Sequence, residues 1–176
     1  MVDTRWLFTA LIALVGLERL LELRLASRNR RWLRARGAVE VGKSHYPWMV
    51  LLHSTFLVAA PMEVWFLERP LIPPLALAML LLLMVAMALR YWVVVTLGRR
   101  WTTRVLLAKE PRITAGPYRF LDHPNYLAVV LEIAALPLVH TAWLTALTYS
   151  ILNASLLRTR IKVEETALRE GAEVVE

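Results

Sequence analysis

One uncharged apolar run limits the folds open to this chain more than any other feature of its sequence. Pro70–Leu89 has twenty residues, is rich in Leu, Ala and Met, and contains no charged side chain. A helix of about 20 apolar residues crosses the hydrocarbon core of a bilayer. Hydrophobic residues make up 58% of the 176 residues, against about 45–50% in soluble domains. The sequence therefore predicts an all-α, polytopic membrane protein, with residues 1–176 forming one domain.

Two more apolar runs precede this one. Tyr46–Met62 contains seventeen residues, with His53 as its one ionisable side chain. Trp6–Leu17 contains only twelve. Charged groups are costly in lipid, so this first helix can continue only if the next ionisable side chains face protein or the interface. Those side chains are Glu18, Arg19 and Glu22.

The last two runs form a pair. Pro124–Val139 is interrupted only by Glu132, and Thr141–Leu157 carries no charge. Each is about 24–26 Å long at 1.5 Å per residue, which is short for a full span. We therefore predict a C-terminal helical hairpin and about five transmembrane helices in total.

The basic residues predict the orientation of these helices. Nineteen of the 21 Lys and Arg residues lie in three clusters, Arg19–Lys43, Arg90–Arg119 and Arg158–Arg169. Five spans place all three clusters on one side of the membrane, which the positive-inside rule makes cytoplasmic. The N-terminus is then outside and the C-terminus cytoplasmic. Such clusters also attract anionic membrane lipids, and we favour this interpretation over nucleic-acid binding.

Several chemistries are excluded or disfavoured by what the sequence lacks. The chain has no Cys, which rules out disulfides and thiolate metal sites. It has no glycine-rich nucleotide motif, no H-E-x-x-H and no G-x-S-x-G. We expect no metal, because the four His are scattered at positions 45, 53, 123 and 140. The first residues, MVDTRW, lack the features of a cleaved signal, so we expect the first helix to be retained.

The stretch GPYRFLDHPNY, residues 116–126, concentrates stiff and polar residues at the edge of an apolar run. Gly116-Pro117 predicts a turn. Pro124 suits the first turn of a helix, with Asp122 or His123 as its cap. Tyr side chains are common at membrane interfaces. These structural roles do not explain why Asn125 and a second polar stretch, residues 153–165, accompany the motif.

Helical spacing groups the polar residues of the last two helices. Asn153, Arg160 and Glu164 recur at intervals of seven and four, so they share one face. Asn125 and Glu132 are also seven apart. A carboxylate within an apolar helix is costly and indicates function by default. Glu132 is either functional or a structural group that is protonated or paired with Arg.

GPYRFLDHPNY, the apolar hairpin and then RTRIKVEE together resemble the isoprenylcysteine carboxyl methyltransferase family of membrane enzymes. That family has a G-x-Y-x-x-x-R-H-P-x-Y motif before its penultimate helix and a Glu-Glu pair after the last one. The resemblance is strongest over residues 90–170. The N-terminal half and GRRWTTRV look more like a bacterial subgroup that methylates alkylpyrones or alkylresorcinols, which implies a bacterial inner-membrane protein. Asp122 replaces the family's Arg, and Arg119 is a possible substitute.

The resemblance implies S-adenosylmethionine as cofactor, bound at the cytosolic face by residues 90–170. It implies methyl transfer to a hydroxyl or carboxyl oxygen of a lipophilic substrate that enters from the bilayer, either an alkylpyrone or alkylresorcinol lipid or a prenylcysteine lipid. Carried over by motif, the cofactor-binding residues are Tyr118, His123, Pro124, Asn125, Tyr126, Glu164 and Glu165. The candidate catalytic residues are Glu132, Arg160 and Glu165. Two other interpretations stay open: an NADPH-dependent reductase of the sterol type, and a non-enzymatic membrane module.

The replacement of Arg by Asp122 bears on the methyl acceptor. A carboxylate acceptor is already a nucleophile and favours a nearby cation, whereas a hydroxyl must lose a proton to a base. Asp122 therefore argues against a prenylcysteine carboxylate. We predict a hydroxyl acceptor on a long-chain aromatic or pyrone lipid, with Glu132 as its general base.

Overall fold

The computed structural model describes residues 3–107 and 113–173, with side chains up to residue 167. It is 79% helical, which confirms the all-α class. Two three-residue strands, which the sequence did not predict, accompany the five helices. The elements are α1 (Thr4–Arg34), β1 (Val39–Val41), α2 (Tyr46–Phe66), α3 (Pro73–Leu97), β2 (Val105–Leu107), α4 (Pro124–Leu138) and α5 (Trp143–Glu173).

Within the described ranges, two helical segments are long and apolar enough to cross a membrane. They are Lys43–Phe66 and Pro73–Arg100. The first contains the predicted run Tyr46–Met62, and the second contains the predicted run Pro70–Leu89 from Pro73 onward. α4 has only 15 residues, or about 22 Å of helix. The number of five transmembrane helices therefore stays a prediction.

The first helix is much longer than its apolar run, because α1 has 31 residues. Arg19 forms salt bridges with Glu22 and with Glu18, the latter at 2.5 Å between Nη2 and Oε2. Arg90 of α3 approaches Glu22 at 3.6 Å. These side chains are largely covered by protein, so the condition for a continuous helix is met. We call Glu18, Arg19, Glu22, Arg90 and Glu132 the ionic cluster.

The three basic segments meet at one end of the helix bundle, which we call the basic end. β1 pairs antiparallel with β2, joining the segment after α1 to the segment after α3. Arg160 of α5 donates to the Thr103 carbonyl at 2.9 Å. The end of α1 joins them, since the Asn29 amide donates to the Trp101 carbonyl at 2.9 Å. Lys109, Arg112 and the Arg169 side chain lie outside the described residues.

Polar contacts also tie the helices together at the opposite end. Glu63 of α2 accepts hydrogen bonds from the first turn of α5, at 3.1 Å from the Leu144 N–H and 2.6 Å from the Thr145 N–H. A carboxylate there satisfies N–H groups that lack helical partners. Thr4 bonds His140 at 3.1 Å. α1 therefore begins at this end, whereas α5 runs from it to the basic end.

α4 and α5 form the predicted C-terminal hairpin. The turn between them holds Thr141 at φ 53°, a left-handed conformation that is costly for a β-branched residue. Its hydroxyl donates to the Pro70 carbonyl at 2.6 Å, which anchors the turn. α5 continues as one helix through the polar stretch 153–165. The hairpin therefore brings the start of α4 beside Arg160 and Glu164.

Candidate functional site

A cleft lies at the basic end between α3, the segment before β2, the start of α4 and α5. Six of the residues predicted to bind the cofactor or to take part in catalysis line it. They are Tyr118, His123, Asn125, Tyr126, Arg160 and Glu164. The structure therefore brings the GPYRFLDHPNY motif and the polar face of α5 into one wall.

A tight turn presents the motif to this cleft. Gly116 has φ +59°, and a Cβ there would lie 2.4 Å from the Thr96 hydroxyl, so only glycine fits. A 3-10 turn follows over Gly116–Arg119. α4 then begins at Pro124 as predicted, with His123 as the N-cap residue. His123 is one of the two residues predicted as the cap; its side chain makes no capping hydrogen bond, and its ring stacks on Tyr126 at 5.1 Å between centroids.

A hydrogen-bond network joins α4 to α5 across the cleft. The Tyr126 hydroxyl donates to Glu164 and accepts from Arg160 Nε at 2.9 Å. The Arg160 guanidinium also lies 5.2 Å from the centre of the Tyr126 ring. Because Arg160 is only 7% exposed, its direction is fixed by these contacts. The predicted face of α5 therefore acts as one side of the site.

The second glutamate of the pair occupies a different position. Glu165 Oε1 lies 3.7 Å from His123 Nε2, and the Glu165 side chain is 52% exposed. It is not among the residues that line the cleft. His123 thus has the cleft on one side and a carboxylate at its outer edge. Glu165 can act on the cleft only through His123.

Four lining residues, Arg100, Trp101, Thr102 and Arg104, come from a segment to which the sequence analysis gave no site role. Trp101 and Arg104 lie between α3 and β2 and contribute to the same cleft. Trp101 is 2% exposed. Its backbone is held by Asn29, which donates to both Gly98 O and Trp101 O. The only signal in the sequence was the segment GRRWTTRV, whose position depends on the buried Asn29 of a distant helix.

Glu40 of β1 forms salt bridges with Arg34 and with Arg104, which lines the cleft. Burial alone would raise the pKa of the Glu40 carboxyl, but hydrogen bonding to Arg104 and the charges of both arginines hold this pKa below its usual range. Arg104 also stacks over the Tyr46 ring at 3.9 Å. The charge of Arg104 is therefore partly neutralised, and Arg160 lies deeper in the protein.

Glu132 lies away from this cleft. Its Oε2 accepts from Arg90 Nη2 at 2.7 Å and lies 3.5 Å from Arg19 Nη2. It is 6% exposed and is not among the cleft-lining residues. Two guanidinium groups therefore lie against this carboxylate. The structure gives Glu132 the Arg-paired role that the sequence left open, and its role as a base stays a prediction.

The position where the chain departs from the resembled motif also faces the cleft. Asp122 is among the lining residues. Arg119, the possible substitute for the missing Arg, is exposed and is not among them. The structure therefore leaves a carboxylate where the motif has a guanidinium.

Comparison with known proteins agrees with this geometry. The model of the isoprenylcysteine carboxyl methyltransferase (ICMT) family matches residues 78–170, the segment that builds the cleft wall. An uncharacterized Bacillus subtilis protein, YpbQ, is 36% identical over 166 residues, which cover 93% of this chain and 98% of that protein. An uncharacterized protein of Haemophilus influenzae is 29% identical over 154 residues, or 85% and 88% of the two chains. The chain belongs to the isoprenylcysteine carboxyl methyltransferase family, and this membership supports methyltransferase activity in a membrane protein.

Proposed function

We propose that the protein transfers a methyl group from S-adenosylmethionine to a hydroxyl oxygen of a long-chain lipid at the cytoplasmic face of the membrane. One observation carries this proposal: the motif residues and the end of α5 meet in a single cleft, through Tyr126, Glu164 and Arg160. Residues 90–170 are the cofactor-binding part of a single domain. Family membership supports the reaction class.

The cleft residues fit the cofactor's chemistry. S-adenosylmethionine carries a carboxylate, an amine, a ribose diol, a flat base and a cationic sulfonium. Arg160 suits the carboxylate, and Glu164 suits the amine or the diol. The Tyr118 and Tyr126 rings suit the sulfonium by cation–π attraction. Two buried polar atoms of the cleft, Trp101 Nε1 and Asn125 Oδ1, have no hydrogen-bond partner within residues 3–107 and 113–167, as expected where a ligand supplies one.

The protein's contribution to the reaction is mainly positioning. The bound cofactor supplies a methyl group on a cationic sulfur, which an oxygen must approach in line. The contacts of Arg160 fix one wall of the cleft, and Pro124 fixes the start of α4. We assign the hydroxyl proton to His123, which lines the cleft and lies 3.7 Å from Glu165, and we give Glu165 the role of positioning it. Arg160 and Glu165 thus keep functional roles.

The acceptor we propose is an alkylresorcinol or alkylpyrone, as in the bacterial subgroup that the N-terminal half resembles. Asp122 in the cleft supports a neutral acceptor over a carboxylate. Apolar side chains exposed on the helices, such as Leu80, Leu81 and Met84 of α3, offer a path for an alkyl tail within the bilayer. The ring would then lie at the mouth of the cleft.

Binding of S-adenosylhomocysteine tests the cofactor assignment. Tyr126→Phe, His123→Ala and Glu164→Gln should each weaken binding about tenfold to a hundredfold, because each loses a polar or stacking contact in the cleft. Tyr91→Phe is the matched control, since Tyr91 bonds Glu18 away from the cleft, and it should bind like the original protein. Calorimetry on purified protein in detergent measures all four.

The same titration separates the other two interpretations. Binding of NADPH with no binding of S-adenosylhomocysteine would support a reductase. Binding of neither would support a non-enzymatic module. Unchanged affinity in all three cleft variants would remove this cleft from the proposal.

We also propose that the basic end faces the cytoplasm of a bacterial inner membrane. The meeting of the basic segments at this end supports the positive-inside orientation. A topology reporter fused after Glu176 should report cytoplasm, and one fused before Met1 should report the exterior. Two fusions on the same side would contradict five spans.

A further inference from the structure

In the part of the chain that the structure describes, Trp101 is a buried hydrogen-bond donor without a partner. Its side chain is 2% exposed, and Nε1 has no hydrogen-bond partner among the described residues. An indole N–H can only donate, and buried Trp side chains normally satisfy it. The residue lines the cleft, so an unsatisfied donor lies in the wall of a site that faces solvent.

The surroundings of Trp101 differ from the ionic side of the cleft. Trp101 packs in an apolar cluster with Val93 and Ala26, and Leu97 and Tyr118 pack against it. Arg160 and Glu164 belong instead to the hydrogen-bond network on α5. The cleft therefore has an apolar, aromatic end with one unsatisfied donor and an ionic end with paired charges.

The fixed backbone of Trp101 makes this donor rigid. Asn29, which is 4% exposed, donates to the Trp101 carbonyl at 2.9 Å, and the Trp101 N–H bonds the Gly98 carbonyl at 3.2 Å. A side chain held this way has little freedom to find another partner. A ligand atom that accepts a hydrogen bond would satisfy Nε1.

We propose that the Trp101 end of the cleft binds a flat ring carrying a hydrogen-bond acceptor, to which Trp101 Nε1 donates. An apolar, aromatic wall suits a ring face, and the donor selects rings with an accepting nitrogen or oxygen. This inference rests on the proposed function. Two rings have this chemistry: the adenine of the cofactor and the oxygen-bearing ring of the lipid acceptor.

Trp101→Phe removes the donor and keeps an aromatic side chain. If the ring is adenine, this variant should bind 5′-methylthioadenosine, which lacks the amino-acid group, roughly tenfold more weakly, and S-adenosylhomocysteine equally so. Glu164→Gln should weaken binding of S-adenosylhomocysteine alone if Glu164 holds the amine, and binding of both nucleosides if it holds the ribose diol. Trp65→Phe is the matched control, because the Trp65 indole donates to Thr9 at the opposite end. Calorimetry gives the affinities, and thermal unfolding checks that each variant is folded.

The other outcomes are also decisive. If Trp101→Phe raises KM for an alkylresorcinol roughly tenfold and leaves both nucleoside affinities unchanged, the ring is that of the lipid acceptor. If neither affinity nor KM changes, the inference is wrong. Failure of the unmodified protein to bind S-adenosylhomocysteine would instead overturn the proposed function.

Discussion

An alkylresorcinol should be methylated at least about a hundredfold faster than a farnesylated cysteine. Asp122 lines the cleft at the position where the resembled motif has Arg. A carboxylate acceptor would meet a like charge there, and such contacts cost several kcal/mol before screening by solvent. A neutral hydroxyl avoids this repulsion. Turnover of the two acceptors, measured with labelled S-adenosylmethionine in the same detergent, gives the ratio.

Asp122→Arg isolates the residue responsible. It should raise turnover of the farnesylated cysteine. The ratio of alkylresorcinol turnover to farnesylated-cysteine turnover should therefore fall by about tenfold or more. Arg119→Gln is the control, since Arg119 is exposed and does not line the cleft, and it should leave the ratio unchanged. Methylation of the cysteine compound alone by the unmodified protein would refute the hydroxyl assignment.

Glu132→Ala should lower the free energy of unfolding by about 3–5 kcal/mol. Arg90 is 6% exposed and donates to Glu132 at 2.7 Å, so the substitution leaves a buried guanidinium without this partner. Breaking one side of a buried ion pair has costs of this size. Unfolding in detergent, followed by circular dichroism, measures the change.

Glu132→Gln distinguishes two roles of Glu132, an ion pair with Arg90 and the predicted general base. Gln keeps an acceptor for Arg90 and leaves two carboxylates with two guanidinium groups in the ionic cluster. We therefore expect a small loss of stability and turnover within tenfold of the original. Glu68→Gln, at an exposed position, controls for the loss of a surface charge. A fall in turnover of 10²–10⁴ with intact stability and cofactor binding would identify Glu132 as a base after all.

The sequence predicted part of the cleft as well as the helices. Five residues of the motif 116–126, and Arg160 and Glu164 of the α5 face, were identified from motif and spacing and line one cleft. Trp101 and Arg104 were not identified, because nothing local marks a loop residue as part of a wall built by other elements. The strand pair β1–β2 was missed because three-residue strands carry too short a pattern.

What the sequence determined by itself is the helical class, the apolar runs and the grouping of polar residues, because these follow from short-range periodicity and composition. Which charges meet was decided only by the tertiary structure. Glu132 and Asn125 are seven residues apart on α4, yet Asn125 lines the cleft and Glu132 pairs with Arg90. Helical spacing shows that two residues share a face. Which side chains they contact depends on the neighbouring helices at each position along that face. A buried carboxylate is stabilised by the nearest guanidinium groups, and here those come from α1 and α3.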